Sequence, residues 1–246
     1  MITATLILVL SGWSLATVGK ARTEAQAVQC VQHLRQLHLG WQIYVDEHGG
    51  VLPGNAATGT GGVWRGVVDS WAGESSAPYD DDTRRLEDGQ LWRSGALTSA
   101  NVFRCPADRS RPVSGRGLRT RSYSLNGNLG GRTNEVQTRV GFQGEIVQPS
   151  AVMAFIDEHE ESIDDGHFLV WAAPDDRWVN LPADRHGGLG VWSAVDGHIE
   201  KRRWAARKEF LREGEYWMRA RPGGDLADLR ALQTWVLPVP REPPTL

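Results

Sequence analysis

The sequence predicts an α+β protein: one long N-terminal α-helix, then a small antiparallel β-sheet head with irregular loops and short C-terminal helices. Three observations carry this. The first fifty residues contain no proline, and apolar residues recur at helical spacing through their second half. Glycine (28) and tryptophan (11) are abundant while methionine (3) and phenylalanine (5) are sparse, a balance that favours turn-rich β structure over a helical bundle. The stretch "LGVWSAVDGHIEKRRW", residues 189–204, sets two alternating segments on either side of Asp196-Gly197, a strong short-range cue for a hairpin with a type I′ turn.

The helix comes first. "MITATLILVLSGWSLATVG" carries no charge before Lys20. As a helix it spans about 27 Å, near the thickness of a bilayer's hydrocarbon core. No basic segment precedes the apolar run, which argues against a cleaved secretory signal. Val28, Val31, Leu34, Leu37, Trp41 and Tyr44 then continue on one face, until Gly49-Gly50 and Pro53 stop the helix. A membrane-anchored helix carrying an exported head is the expectation. It gives residues 1–50 as membrane and filament helix, 51–235 as head and 236–246 as a proline-rich tail.

The head is read in order. "VLPGNAATGTGGVWRG", from Val51, is a glycine-rich loop that lacks the lysine of a Walker loop. A short helix is expected around Leu86 to Trp92. Residues 109–122 are arginine-rich and read as a solvated loop face, with a phosphate patch as the weaker alternative. "RSYSLNGNLGG" reads as a strand entering a loop. Val152 to Ile156 is a buried strand that ends in acids at Asp157, and "HFLVW" is a second strand. Beyond the hairpin, "AARKEFLREGEYW" and "GDLADLRALQTW" are helix-like, with Asp225 as N-cap of the latter. The net charge of −3 gives no basic field, so nucleic acid is not an expected partner.

Candidate functional residues fall in two groups. Cys30 and Cys105 would form one long-loop disulfide in an oxidising compartment. Asp157, Glu158, His186, Asp196 and His198 offer carboxylates and imidazoles that suit a divalent first-row metal such as zinc, if the strands bearing them are neighbours. The alternative is structural: Asp196-Gly197 makes the turn, and His186 hydrogen-bonds near Asp196. No HExxH or CxxC spacing and no Gly-x-Ser-x-Gly elbow is present, so no catalytic residue is assigned and no enzyme is expected.

Five segments in order resemble one family. These are "KARTEAQAVQCVQHLRQLHLGWQIYVDEHGGVLP", "FRCPAD", "RSYSLNGNLGG", "FIDEHEESIDDGHF" and "NLPADRHGG" running to "DGHIEKRRW". Together they resemble the type IV pilin-like (pseudopilin-like) proteins of planctomycetes and verrucomicrobia, with a C-terminal H-X9-DG motif that here is His186, Asp196 and Gly197. The resemblance implies a pilin-like fold and a structural subunit of a type II secretion or type IV pilus-like filament. It also implies an inner-membrane anchor, a periplasmic or extracellular head and sister subunits as partners. The family's mature helix opens with phenylalanine and carries an early glutamate, whereas this chain has no acid before Glu24. Aligning Lys20-Ala21 with the family's lysine-alanine start places Met1 inside the mature helix, so cleavage by a prepilin peptidase is expected of a longer precursor. Related pseudopilins hold calcium in a C-terminal loop, which adds calcium to zinc as a candidate ion for the acidic segment from Asp157. The rival expectation is a membrane-anchored carbohydrate-binding or metal-dependent hydrolytic surface protein. Exposure of Trp64, Trp71, Trp92, Trp171 and Trp178 would favour it.

Overall fold

The computed structural model describes residues 2–55, 57–60, 63–75, 80–112, 115, 117–130, 140–211 and 217–236, with the backbone alone at 2–18, 57–60 and 63–65. The expected membrane run, its small residues Ser11, Gly12, Ser14 and Ala16, and the side chain of Trp64 therefore lie outside the described side chains. Residues 237–246 of the expected tail lie outside the described residues. Among the described residues no helix is long and apolar enough to cross a membrane.

The first element is α1 (Ile2–Glu47). Its end follows from two glycines. Gly49 and Gly50 take φ of +64° and +92°, which lets Gly50 N–H reach Val45 O at 2.8 Å and Gly49 N–H reach Asp46 O at 3.3 Å. Those two bonds make a Schellman cap and satisfy carbonyls that the helix end would otherwise orphan. Residues 19–29 are exposed or half-buried, and burial begins at Cys30. From there Val31, Leu34, Leu37, Trp41, Tyr44 and Val45 turn one face into the head. Val28, expected on that stripe, is exposed, because at 3.6 residues per turn it falls on the side of α1 opposite Cys30, Leu34 and Leu37.

A five-stranded sheet forms the centre, in the order β5 (His167–Phe168), β3 (Tyr123–Asn126), β4 (Met153–Asp157), β7 (Leu189–Ala194), β8 (Ile199–Arg203). It is mixed and not purely antiparallel as expected, since the short β5 runs parallel to β3. β4 lies between β3 and β7, all five of its residues buried, as its apolar run predicts. One face meets α1: Tyr123, Leu125, Phe155, Val191 and Val195 join the helix stripe in one core. The other face packs Met153, Ile156 and Trp192 against α4 (Gly224–Gln233) and the pair β6 (Arg177–Trp178) and β9 (Met218–Arg219). A register shift in β4 between Met153 and Ile156 allows neighbours Ala154 and Phe155 to serve the same core.

The connections correct several expectations. The glycine-rich segment holds an antiparallel pair, β1 (Ala57–Thr60) and β2 (Val63–Gly66). The short helix near Leu86 is two single turns, α2 (Arg84–Glu87) and α3 (Gln90–Arg93). Residues 205–211 are not helical, because Asp228 takes the N–H groups of Ala205 and Ala206, and Asp184 that of Lys208. Gly223, not Asp225, stands at the N-cap of α4. Asp225 instead receives Lys208 Nζ at 3.1 Å, and Asp228 receives it at 2.8 Å, with all three side chains buried. Nor is the arginine segment a solvated face at Arg119 and Arg121. Arg119 pairs with Asp80 at 2.8 Å, and Arg121 donates to Ser75 O, Tyr123 O, Ser124 Oγ and Asp165 O in full burial.

Candidate functional site

Four segments meet where α1 first enters the head. Cys30 stands on the first buried turn of α1. One turn before and one after it, Gln26 Nε2 and the His33 ring bond Pro106 O (3.2 Å) and Arg104 O (2.8 Å). Spacings of four and three place the three residues on one helix face. That face holds the Cys-Pro loop, and Cys105 is fixed further by its N–H donating to Ser122 Oγ at 2.6 Å. Asp157 ends β4, opposite Tyr123 of β3. His186 lies in the turn before β7, which Gly188 closes by donating to Asp184 O at 2.8 Å.

The donor atoms of Cys30, Cys105, Asp157 and His186 all lie within 4.8 Å of one another, and all four residues are buried. His186 Nε2 is 3.1 Å from Cys105 Sγ and 3.9 Å from Asp157 Oδ2, and Cys30 Sγ is 3.9 Å from the same Oδ2. Tyr123 Oη donates to Cys30 Sγ at 3.3 Å. Arg185 pairs with Asp157 Oδ1 and also holds Glu158 O and Glu160 Oε2, so Oδ2 is the oxygen left facing the sulfurs. His186 Nδ1 has no hydrogen-bond partner among the described residues.

Burial governs the ionisation here. It raises the Asp157 carboxyl to about 7, against the pull of Arg185. It lowers His186 to about 4, helped by Arg185 and Lys201, so the imidazole is neutral near pH 7 with a lone pair to offer. Burial also pushes the Cys105 thiol well up, reinforced by Cys30 and Asp157. Two thiols, a neutral imidazole and a carboxyl form a donor set of the kind that holds zinc.

The expected site residues are partly regrouped. Cys30 and Cys105 do meet, as free thiols and not as a disulfide. Asp157 and His186 converge with them. Glu158 does not, because side chains alternate along the strand end and its carboxylate points the other way. There it accepts Ser124 Oγ at 2.5 Å, Ser162 Oγ at 2.9 Å and Asn180 Nδ2 at 2.7 Å. Those bonds commit both its oxygens, which disfavours calcium there. Asp196 and His198 sit at the far end of β7, exposed and paired with each other at 2.5 Å. His186 does not reach Asp196, since roughly 20 Å of strand separates them.

The hairpin itself forms as expected, β7 with β8 from Leu189↔Arg203 to Ser193↔Ile199. Its turn is one residue longer than a type I′ turn. Gly197 N–H donates to Ala194 O and Ala194 N–H to His198 O, so Val195, Asp196 and Gly197 make the connection, with Gly197 at φ +93°. The motif spacing is thus the length of one strand. His186 at one end meets Cys105, and Gly197 at the other packs against the His38 ring of α1. Among the candidate sugar-stacking rings, Trp71 and Trp178 are buried, and Trp92 and Trp171 are half-buried.

The sequence did contain the signal for the four-residue site, in its two cysteines and the acid-ending strand, but reading the cysteines as a disulfide hid it. No protein-family model matches the chain, and neither does any curated protein or solved structure.

Proposed function

We propose that the chain is a pilin-like structural subunit, anchored in the inner membrane through the front of α1 and assembling with sister copies in a type II secretion or type IV pilus-like filament. One observation carries this: α1 enters the core only from Cys30, while residues 19–29 remain exposed or half-buried behind an uncharged run. The uncharged run that precedes this uncovered stretch offers apolar residues to lipid or to matched helices. Staggered copies would meet in heterologous contacts, which extend and do not close. The burial of Trp71 and Trp178 supports this scaffold reading over a sugar-stacking surface.

The test is membrane retention and neighbour cross-linking of the full chain in a Gram-negative host. The chain should stay with carbonate-washed membranes, and Val28→Cys combined with Leu39→Cys, both exposed positions of α1, should give a ladder of cross-linked copies under a short bis-maleimide. Leu8→Glu should release the chain from the membrane. A chain that stays monomeric and washes free before any substitution overturns the reading.

A further inference from the structure

We propose that Cys30, Cys105, Asp157 and His186 bind one zinc ion that fastens α1 to the head. The ion's place depends on these four side chains alone, and not on whether the chain enters a filament.

The geometry comes first. Zinc bonds of about 2.3 Å to sulfur and about 2.0–2.1 Å to nitrogen or oxygen imply tetrahedral edges of roughly 3.3 to 3.8 Å between ligand atoms. The separations here are 3.1, 3.9 and 3.9 Å for His186–Cys105, His186–Asp157 and Cys30–Asp157, with none of the set beyond 4.8 Å. Closing such a group on an ion needs shifts well under the length of a side chain. The ligands come from four separate segments: a helix, a loop, a strand end and a turn.

The surroundings agree. Arg185 orients Asp157 through Oδ1, which leaves Oδ2 as a one-oxygen ligand, and Tyr123 Oη supplies a hydrogen bond to Cys30 sulfur. Such outer partners fix first ligands in metal sites. Once the thiols ionise, two thiolates and Asp157, with Glu160 held on Arg185, exceed the one guanidinium beside them. That field favours a dication. Both S–H protons, and that of the Asp157 carboxyl where it is protonated, leave to solvent as the ligands bind, so no oxidant or reductant is consumed. Two sulfurs and an imidazole select a thiophilic ion over calcium or magnesium.

Fastening is what the position allows. Cys30 is where the exposed and buried parts of α1 meet. An ion joining it to Cys105, Asp157 and His186 would hold the exposed segment at a fixed angle to the sheet.

The experiment is a cobalt and zinc titration of the full chain, reduced and stripped of metal. We expect one cobalt per chain with a thiolate-to-cobalt charge-transfer band, displaced by zinc, and a zinc-dependent rise in the urea midpoint. Loss of an outer partner costs about 10- to 100-fold in affinity. Tyr123→Phe should therefore weaken zinc within that range, and Cys105→Ser by more. His198→Gln, at the exposed turn, should leave the band intact. Should Cys105→Ser fail to fold, the unaltered zinc-loaded chain is treated with an organomercurial. Release of one zinc per two thiols modified supports the site. Absence of the band, its survival in Cys105→Ser, its loss in His198→Gln, or zinc release unrelated to thiol modification each overturns it.

Discussion

Asp157 and Glu158 are neighbours at the end of one strand, equally buried, yet they belong to different kinds of environment. Burial raises both carboxyls, Asp157 to about 7 and Glu158 to about 8. Around Glu158 the donors Ser124, Ser162 and Asn180 saturate the two oxygens, while the charge of Asp164 adds to the effect of burial. Around Asp157 one oxygen is taken by Arg185, and the other has only weak S–H donors, Cys30 at 3.9 Å and Cys105, with an imidazole beside them. A saturated buried carboxyl specifies a fold, because each donor lost leaves a desolvated group behind. One that is half-saturated and faces soft donors has coordination left to offer. The pleat alone divides the two roles, by sending adjacent side chains to opposite faces.

Removing each carboxyl in turn is the sharpest way to break the contrast. Glu158→Ala strands Asn180, two serine hydroxyls and part of the charge compensation of Arg121. It should cost about 3 to 5 kcal/mol in urea unfolding. Asp157→Asn keeps the shape and leaves Arg185 its bonds to Glu158 O and Glu160, so without metal it should cost about 2 kcal/mol. The order of the two losses is the check, and an equal or reversed order would mean that Asp157 is also a saturated structural group.

Much of the frame around these residues was legible in the sequence. The helix stripe from Val31 onward, the apolar run before Asp157 and the hairpin across Asp196-Gly197 are local patterns, and each forms where the sequence puts it, although β7 is buried on both faces and does not alternate. What the sequence hid depends on convergence. Cys30 and His186 are 156 positions apart in the numbering, and only the sheet order brings them together. Arg121 looked like surface charge because the sequence carries no record of the carbonyls that enclose it. The stretch 205–211 has helical periodicity, but Asp184 and Asp228 claim its amides from outside. Tertiary bonding overrode propensity there.

The Glu158 side also contains His167, and its titration sharpens the comparison. The ring Nε2 donates to Gly127 O at 3.2 Å, and Asp165 takes the backbone N–H and not the ring. Burial therefore lowers His167 from 6.5 to about 4 without a charged partner to oppose it. Its contribution to stability is present above pH 6.5. It is lost as pH falls from there towards 4, because the unfolded chain takes a proton that the folded chain refuses. His167→Gln keeps an N–H donor but does not titrate. The stability of the unaltered chain relative to this variant should fall by up to about 3 kcal/mol between pH 7 and pH 4. Titration of Asp164 and Asp165 is common to both chains and cancels in the difference. A flat difference would mean that the ring protonates in place and that the Glu158 side is wetter than its hydrogen bonds imply.

The smallest effects belong to the far end of β7, where they separate the two halves of the H-X9-DG motif. Gly197 has φ +93°, and a Cβ there would lie 3.2 Å from the His38 ring, so Gly197→Ala should cost about 1 to 2 kcal/mol through backbone strain and crowding against α1. Asp196 is different. Among the described residues its carboxylate holds only His198, through the backbone N–H at 3.2 Å and the ring at 2.5 Å, in a place open to solvent. Exposed pairs of this kind contribute about 0 to 1 kcal/mol, and asparagine keeps the acceptor for the N–H, so Asp196→Asn should move the urea midpoint least of all. Neither change should alter the cobalt spectrum, because a full strand lies between the turn and His186. A spectrum that shifts with Gly197→Ala but not with Asp196→Asn would show that the hairpin transmits its position through α1 to Cys30. The aspartate would then be a turn former, and the glycine and histidine the two ends of one lever along the helix.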